Sequence, residues 1–404
     1  MKIIEYLSIL IFIPVLIIVY VFRPLIFIRW FPYDTGSRIG TLIPSIESFY
    51  LKKNNNNKLE IELFCSENFC NDFLNLKYKR KKIIFTRPLI VKLLSKTNNF
   101  FIKYFKYQNN HEINKNEIYK RINYEDYSKK NFLLSINLND DEKGKNFLKQ
   151  LGLHIKSKII CLIIRDESYL KKNFPNSNWD YHSYRNSNIE NYIDSINFLL
   201  RKGYIVFRMG KISEKKINVK HKNFFDYSNS NYRSDFLDIW LLKRCDLCIS
   251  TSSGLDEVAR LFCKPTIIVN FVNFYSFNSF SQTITYPKIL KKNGKNLETV
   301  DYFNLKNVFG KSEDFKKNNI EIKEYNKNEL LEIFKEAIQI FENQWKFRNQ
   351  EDILYQNIFW QRFKENRKQD KLLADHHRYI NKKSIIGPYF LKKMKNRKFY
   401  EKIN

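Results

Sequence analysis

Apolar and polar positions fall into three regimes along the chain. Ile3 to Phe22 is a nearly unbroken apolar run of 20 residues in which Glu5 is the one charged side chain, long enough to cross a bilayer as a helix. A second apolar patch, Pro24 to Phe31, is interrupted by Arg29. The next regime mixes periods. A turn at Gly40 precedes helical spacing through Ile46, Phe49 and Leu51, and strand-like runs at Leu59 to Cys65 and Lys82 to Phe85 are each followed by helical stretches. Tyr107 to Asp141 is Asn/Lys-rich and weakly patterned, which predicts a loop-rich connection. Asp140 to Leu151 then reads as a helix ending at Gly152, where a left-handed C′ residue is expected.

From Lys158 the alternation becomes regular. Ile159 to Ile164, Tyr204 to Met209, Leu247 to Ile249 and Thr266 to Val269 are continuous apolar or β-branched runs, as expected of strands buried on both faces of a parallel sheet. Helical spacing separates them at Asn188 to Leu200, Phe236 to Leu242 and Leu255 to Phe262. Asn328 to Phe363 reads as one long helical region, and the basic tail after it, including Ser384 to Phe399, as a surface-seeking helix. The pattern predicts an α/β protein: residues 1–32 a membrane-anchoring segment, 33–152 a first domain of mixed strands and helices, 153–325 a doubly wound one, and 326–404 C-terminal helices with a basic tail.

The segment Cys245 to Asn270 carries the strongest chemical signal. Its strand ends in Ser250-Thr251-Ser252-Ser253-Gly254 where a helix begins, which predicts free N–H groups and the positive end of a dipole at the carboxyl edge of a sheet. A phosphate or diphosphate suits that position. An ordinary βαβ crossover with a Ser-rich cap is the alternative. Two other strand ends carry Arg165-Asp166 and Arg208-Met209-Gly210, and Tyr181 to Ile189 supplies His182 and Arg185 in one polar loop. Arginine grips phosphate oxygens bidentately and keeps its charge, so Arg165, Arg185 and Arg208 are expected to converge on the anion, the alternative for each being a surface ion pair. Asp166 and His182 are candidate general bases for an acceptor hydroxyl. Alternatively, Asp166 orients Arg165, and His182 caps its helix or binds substrate. Glu257 stands one turn into the helix, able to reach a ribose diol or to complement the dipole. Asp235 and Asp238 read as cap and first-turn residues of their own helix. No D-x-D-type cluster stands at a strand end, so no metal is expected.

Composition modifies this picture in two places. The formal charge of +29 invites a nucleic-acid partner, but Lys, Asn, Ile, Phe and Tyr are all abundant while alanine occurs only at Ala259, Ala337 and Ala374. Those favoured residues share A/T-rich codons, and no nucleic-acid module or basic-aromatic platform is present, so no nucleic-acid partner is expected. The six cysteines lie mostly in or beside apolar runs, and Cys245 and Cys248 lack a second pair at zinc-like spacing, which points to reduced thiols in the cytoplasm. Arg23, Arg29 and Arg38 follow the first apolar run against Lys2 before it, a bias that keeps the following domain on the cytoplasmic side of the membrane. A shallow, non-spanning insertion remains open because of Pro14 and the interrupted second patch.

CLIIRDESYL, WDYHSYRNSNIENY, GYIVFRMG, SDFLDIWLLKRCDLCISTSSGLDEVARLFCKPTIIVN and TYPKILKKNGKNL, in that order, resemble the glycosyltransferases encoded among bacterial surface-polysaccharide genes. RIGTLIPSIESFYL and IIGPYFL resemble the same family, so the likeness covers most of the chain apart from the membrane run and the Asn-rich connection. The Ser250 to Pro265 element is also similar to the donor loop of heptosyltransferases and fucosyltransferase-like enzymes. The resemblance implies a GT-B-like enzyme of two Rossmann-like domains that moves a sugar from a nucleotide-diphosphate sugar to a glycan or lipid-linked acceptor, without a metal or other cofactor. It implies that Arg165, Arg185, Arg208, Gly210, Ser252, Ser253, Gly254 and Glu257 hold the donor, and that Arg38, Gly40 and Thr41 line the acceptor side. The family commonly has His after that first Gly; Thr41 stands here instead, which removes a base from that position. The alternative is a non-catalytic nucleotide- or glycan-binding scaffold with a degenerate transferase fold.

Overall fold

A computed structural model describes the chain except for residues 1, 53–58, 106–110, 115–117, 119–131, 273–278, 280, 298–301, 303–310, 348, 369–380, 382 and 395–404. Most of the expected Asn-rich connection and the end of the basic tail therefore lie outside the described residues. The chain forms two compact units, one of Met1–Ile122 with Lys129–Asn137 and one of Asn123–Ser128 with Leu138–Asn404. Each contains a parallel sheet with helices, the α/β class expected.

Among the described residues the first unit is built on three parallel strands in the order β1 (Ile26–Asp34), β2 (Leu59–Cys65), β3 (Ile83–Thr86). Successive residues of a strand point to opposite faces, and here both faces are covered. Phe64 lies beside Phe31 and meets Phe49 of helix α2 (Ile39–Lys52), with 6.0 and 5.9 Å between the rings. Trp30 and Cys65 face the other way, onto α1 (Lys2–Val21) and α4 (Pro88–Phe105), through Leu16, Val19, Val91 and Leu94. Helix α3 (Asp72–Lys79) supplies Tyr78, whose hydroxyl donates to buried Glu47 at 3.0 Å. The Glu47 carboxylate also accepts from the Leu133 and Leu134 N–H groups, at 2.8 and 3.1 Å. Burial nevertheless pushes its pKa up to about 7.

The long apolar run thus forms a helix with one side packed on its own domain. Tyr20 of α1 donates to Asn98 of α4 at 2.5 Å. Among the described residues no helix is long and apolar enough to cross a membrane.

Among the described residues the second unit carries one seven-stranded parallel sheet. Its strands are β4 (Ile159–Ile163), β5 (Ile205–Arg208), β6 (Phe224–Phe225), β7 (Leu247–Ser250), β8 (Thr266–Phe271), β9 (Thr283–Pro287) and β13 (Ile385–Ile386), in the spatial order β13-β9-β8-β7-β4-β5-β6. The chain steps from β4 to β5 to β6 in one direction, then returns to the other side of β4 and steps from β7 to β8 to β9. The winding reverses between β4 and β7, the place where open parallel sheets bind ligands beyond their carboxyl ends. Beside this sheet, β10 (Ile289–Lys292) pairs antiparallel with β11 (Lys295–Asn296) and β12 (Ile320–Lys323).

Helices α5 (Leu138–Gln150), α6 (Ser168–Asn173), α7 (Ile193–Arg201), α8 (Asp235–Arg244), α9 (Asp256–Leu261), α10 (Ser312–Lys317), α11 (Lys327–Glu342), α12 (Gln350–Lys368) and α13 (Pro388–Lys393) complete the described unit. Two expectations change. The single long region over Asn328 to Phe363 is two helices, parted at Gln344 and Trp345, both of which have positive φ. The segment Ser384 to Met394 is no surface-seeking helix. Ile385–Ile386 extends the sheet beside β9, and Ile386, Phe390 and Leu391 are buried, so tertiary pairing overrides the basic composition of its surroundings.

Candidate anion-binding site

The backbone gathers three loops at the reversal between β4 and β7. The Arg165 N–H donates to Thr251 Oγ1 at 2.9 Å, and its carbonyl accepts from the Ser187 N–H at 3.0 Å. The Thr251 N–H in turn donates to the Ile163 carbonyl at 3.1 Å. Arg165 is thereby clamped between the turn after β7 and the polar loop before α7. A 3-10 turn, Asp180–Arg185, carries Arg185, whose Nη2 donates to the Ser252 carbonyl at 2.6 Å. Ser252 presents that carbonyl from a left-handed conformation, φ 61°.

Two further residues hold the Arg185 loop. Ser312 Oγ donates to the Asp180 carbonyl at 2.9 Å and accepts from the Tyr184 N–H at 3.2 Å. Lys288, at the end of β9, donates through Nζ to the carbonyls of Tyr184 (3.1 Å) and Asn186 (2.7 Å), on either side of Arg185. Below it, the Glu324 carboxylate accepts from the Asn188 N–H at 3.1 Å and from Asn270 Nδ2 at 3.4 Å.

The cations here lack direct ionic partners among the described residues. The Arg165 guanidinium makes no hydrogen bond or salt bridge among the described residues; burial, with Arg185 beside it, pulls its pKa down to about 10. Lys288 is 4% exposed, and burial lowers its ammonium to about 8, with Glu324 opposing the shift and Arg165 adding to it. Burial raises Tyr184, Glu257 and Glu324; Arg185 and Arg165 oppose this at Tyr184, as do Arg260 and then Arg185 at Glu257. Three cations with no salt bridge among the described residues, partly removed from water, leave positive charge that an anionic ligand would compensate.

The other expected residues have distinct placements. Arg208 is buried and its guanidinium is engaged by the chain itself, donating to the Lys215 carbonyl at 2.6 Å and pairing with Asp226 at 3.3 Å. Gly210 follows it, where an added Cβ would stand 3.3 Å from that of Ser228. Ser253 and Gly254 lie in the turn after β7, but its N–H groups are partly taken. Asp256 Oδ2 accepts from the Ser253 N–H at 3.0 Å and from Ser250 Oγ at 2.7 Å. The chain's own carboxylate therefore stands where free donors were expected, and α9 is only six residues long. Glu257 pairs with Arg260 at 3.1 Å.

Asp166 accepts from the Ser168 and Glu214 N–H groups, both at 2.9 Å, so each oxygen pins a loop. His182 lies in the Asp180–Arg185 turn, its ring 4.0 Å from that of Tyr181. Asp238 is no simple cap: it is buried and accepts from the Tyr227 hydroxyl at 2.9 Å and from Arg233, while Ser234 caps α8. Arg38, Gly40 and Thr41 belong to the first unit, where the Thr41 and Leu42 N–H groups donate to the Arg38 carbonyl as α2 begins. Lys288, Glu324 and Asp256 were not singled out from sequence, and Thr251 only as part of the Ser250 to Gly254 turn. Only the Tyr-Pro-Lys ending of a strand offered a signal for Lys288.

No protein-family model matches the chain, and no curated protein does. Two solved structures are similar in shape. The ADP-heptose LPS heptosyltransferase II of E. coli is 12% identical with a TM-score of 0.39, covering 67% of this chain and 93% of its own. A family 9 glycosyl transferase from Veillonella parvula is 11% identical with a TM-score of 0.36, covering 65% of this chain and 86% of its own.

Proposed function

We propose that the protein is a glycosyltransferase of cell-surface polysaccharide synthesis that takes a sugar from a nucleoside-diphosphate sugar. The unpaired guanidinium of Arg165 beside Arg185 and Lys288, at the sheet's winding reversal, carries this reading. A diphosphate would bring the missing negative charge. As the acceptor oxygen bonds to the anomeric carbon, the bond from that carbon to the diphosphate breaks and its electron pair passes to the leaving group, whose charge the fixed cations stabilise without a metal. In this reading Ser252, Ser253 and Gly254 lie alongside the diphosphate, and Glu257 reaches the ribose by exchanging its pairing with Arg260. Arg208 serves through Asp226 and the Lys215 carbonyl, positioning the Gly210 loop. His182 is the base in this scheme, because both oxygens of Asp166 are occupied by backbone donors. The acceptor is a glycan or lipid-linked sugar at the cytoplasmic face of a membrane, engaged by the unit that bears Arg38, Gly40 and Thr41.

Thermal-shift titration with a panel of nucleoside-diphosphate sugars tests this. One donor should raise the melting temperature, and Arg165→Ala should weaken its binding about ten- to hundredfold, the cost of a hydrogen bond to a charged group. Stabilisation by no donor would replace the enzyme with a non-catalytic scaffold, a reading favoured by Asp256, whose carboxylate already occupies the Ser253 N–H.

A further inference from the structure

Helix α1 carries two apolar stripes. Phe12, Leu16, Val19 and Tyr20 pack on α4 and β1 and account for one of them. Ile11, Val15, Ile18 and Phe22, at helical spacing on the other side, are 70, 44, 57 and 50% exposed, and Leu25 in the following turn is 70% exposed. A helix lying on a water-soluble domain ordinarily turns polar residues outward. Here Tyr6 to Tyr33 contains no acidic residue at all and carries Arg23 and Arg29. The partner helix α4 extends the same character: Leu89, Ile90, Tyr104 and Phe105 are exposed, Lys92, Lys96 and Lys103 are exposed with them, and the helix contains no carboxylate.

We propose that α1 and α4 together form a docking face that lies in the plane of an anionic lipid leaflet, with Ile11, Val15, Ile18, Phe22 and Leu25 entering the acyl boundary and Lys92, Lys96 and Lys103 meeting headgroup phosphates. The inner stripe of α1 is already committed to Trp30, Val91 and Leu94, so this part of the helix inserts from its outer side and does not cross. Charge complementarity favours lipid over a second copy of this basic chain, since two such faces would oppose lysine to lysine. The inference deepens the membrane attachment in the proposed function and is independent of sugar transfer.

Flotation of the full chain with vesicles of phosphatidylcholine, alone or mixed with phosphatidylglycerol, tests it. The wild type should partition onto the mixed vesicles. Replacing the exposed stripe (Ile11→Ser, Val15→Ser, Ile18→Ser, Phe22→Ser) should lower partitioning about tenfold or more on either vesicle, with an unchanged circular dichroism spectrum. Lys92→Ala with Lys96→Ala and Lys103→Ala should lower it about tenfold or more on the mixed vesicles alone, an effect that added salt abolishes. Wild-type partitioning by the stripe variant overturns the proposal. So does a wild-type dimer that the stripe variant converts to monomer while vesicle binding persists. A fluorophore at Ile11→Cys or at Phe22→Cys should report equal shallow depths, and a deep reading at one end alone would indicate a span instead. None of these readouts requires a nucleotide sugar, so failure of the transferase reading leaves them intact.

Discussion

Lys288 shows how much depends on one buried amine. Its depressed pKa means the folded state holds the charged form at a cost. That cost is full below about pH 8 and is relieved as pH rises toward the ordinary lysine value, so this group alone makes stability rise through that window. Anion binding should run the other way, weakening as pH passes about 8 and the charge is lost. Lys288→Met should bind nucleoside diphosphate about ten- to hundredfold more weakly at neutral pH and show no further fall up to about pH 9. Calorimetric titration across that range would expose the error if the variant retained the wild-type slope. Arg165 and Arg185 were legible in the sequence because each stands at the end of an apolar run or in one polar loop. Lys288 and Asp256 were not, since what gives them meaning is contact with Tyr184, Asn186 and Ser253, and no spacing along the chain encodes those pairings.

Among the elements, the strands buried on both faces were the most readable. β4, β7 and β8 match their apolar runs because burial on both sides favours apolar side chains, and the buried polar ones, Ser250, Thr266 and Asn270, stand at strand ends with hydrogen-bond partners. The two-residue strands β6 and β13 carry no pattern and exist through their neighbours. Gly152 and Gly203 do hold positive φ, 70° and 84°, where helices α5 and α7 end. Gly144 has another role, hidden from sequence. A Cβ there would fall 2.0 Å from the Trp240 ring, whose Nε1 donates to Asp141 at 3.1 Å, so glycine permits α5 to close on α8. Gly144→Ala should cost about 1–3 kcal/mol through overpacking. Urea unfolding should show a lower midpoint with an unchanged slope, and an unaltered midpoint would mean that the contact is not made.

At the scale of the molecule, the charge of +29 outweighs its local pairings. Exposed pairs such as Lys202 with Glu342 are worth about 0–1 kcal/mol each, whereas like charges repel across the whole surface. Raising salt from about 0.01 to 0.15 M, which shortens the screening length from about 30 to 8 Å, should therefore raise the melting temperature. A decrease would show that local pairs dominate. The pairing of β13 with β9 adds a matter of timing. Residue 386 is polymerised 99 residues after residue 287, the interval between the ends of these strands (386 − 287). At ~5–20 residues per second that is roughly 5–20 s. Throughout that delay a nascent chain presents the bare edge of β9, and a ribosome that stalls between the two releases a product with an adhesive flank.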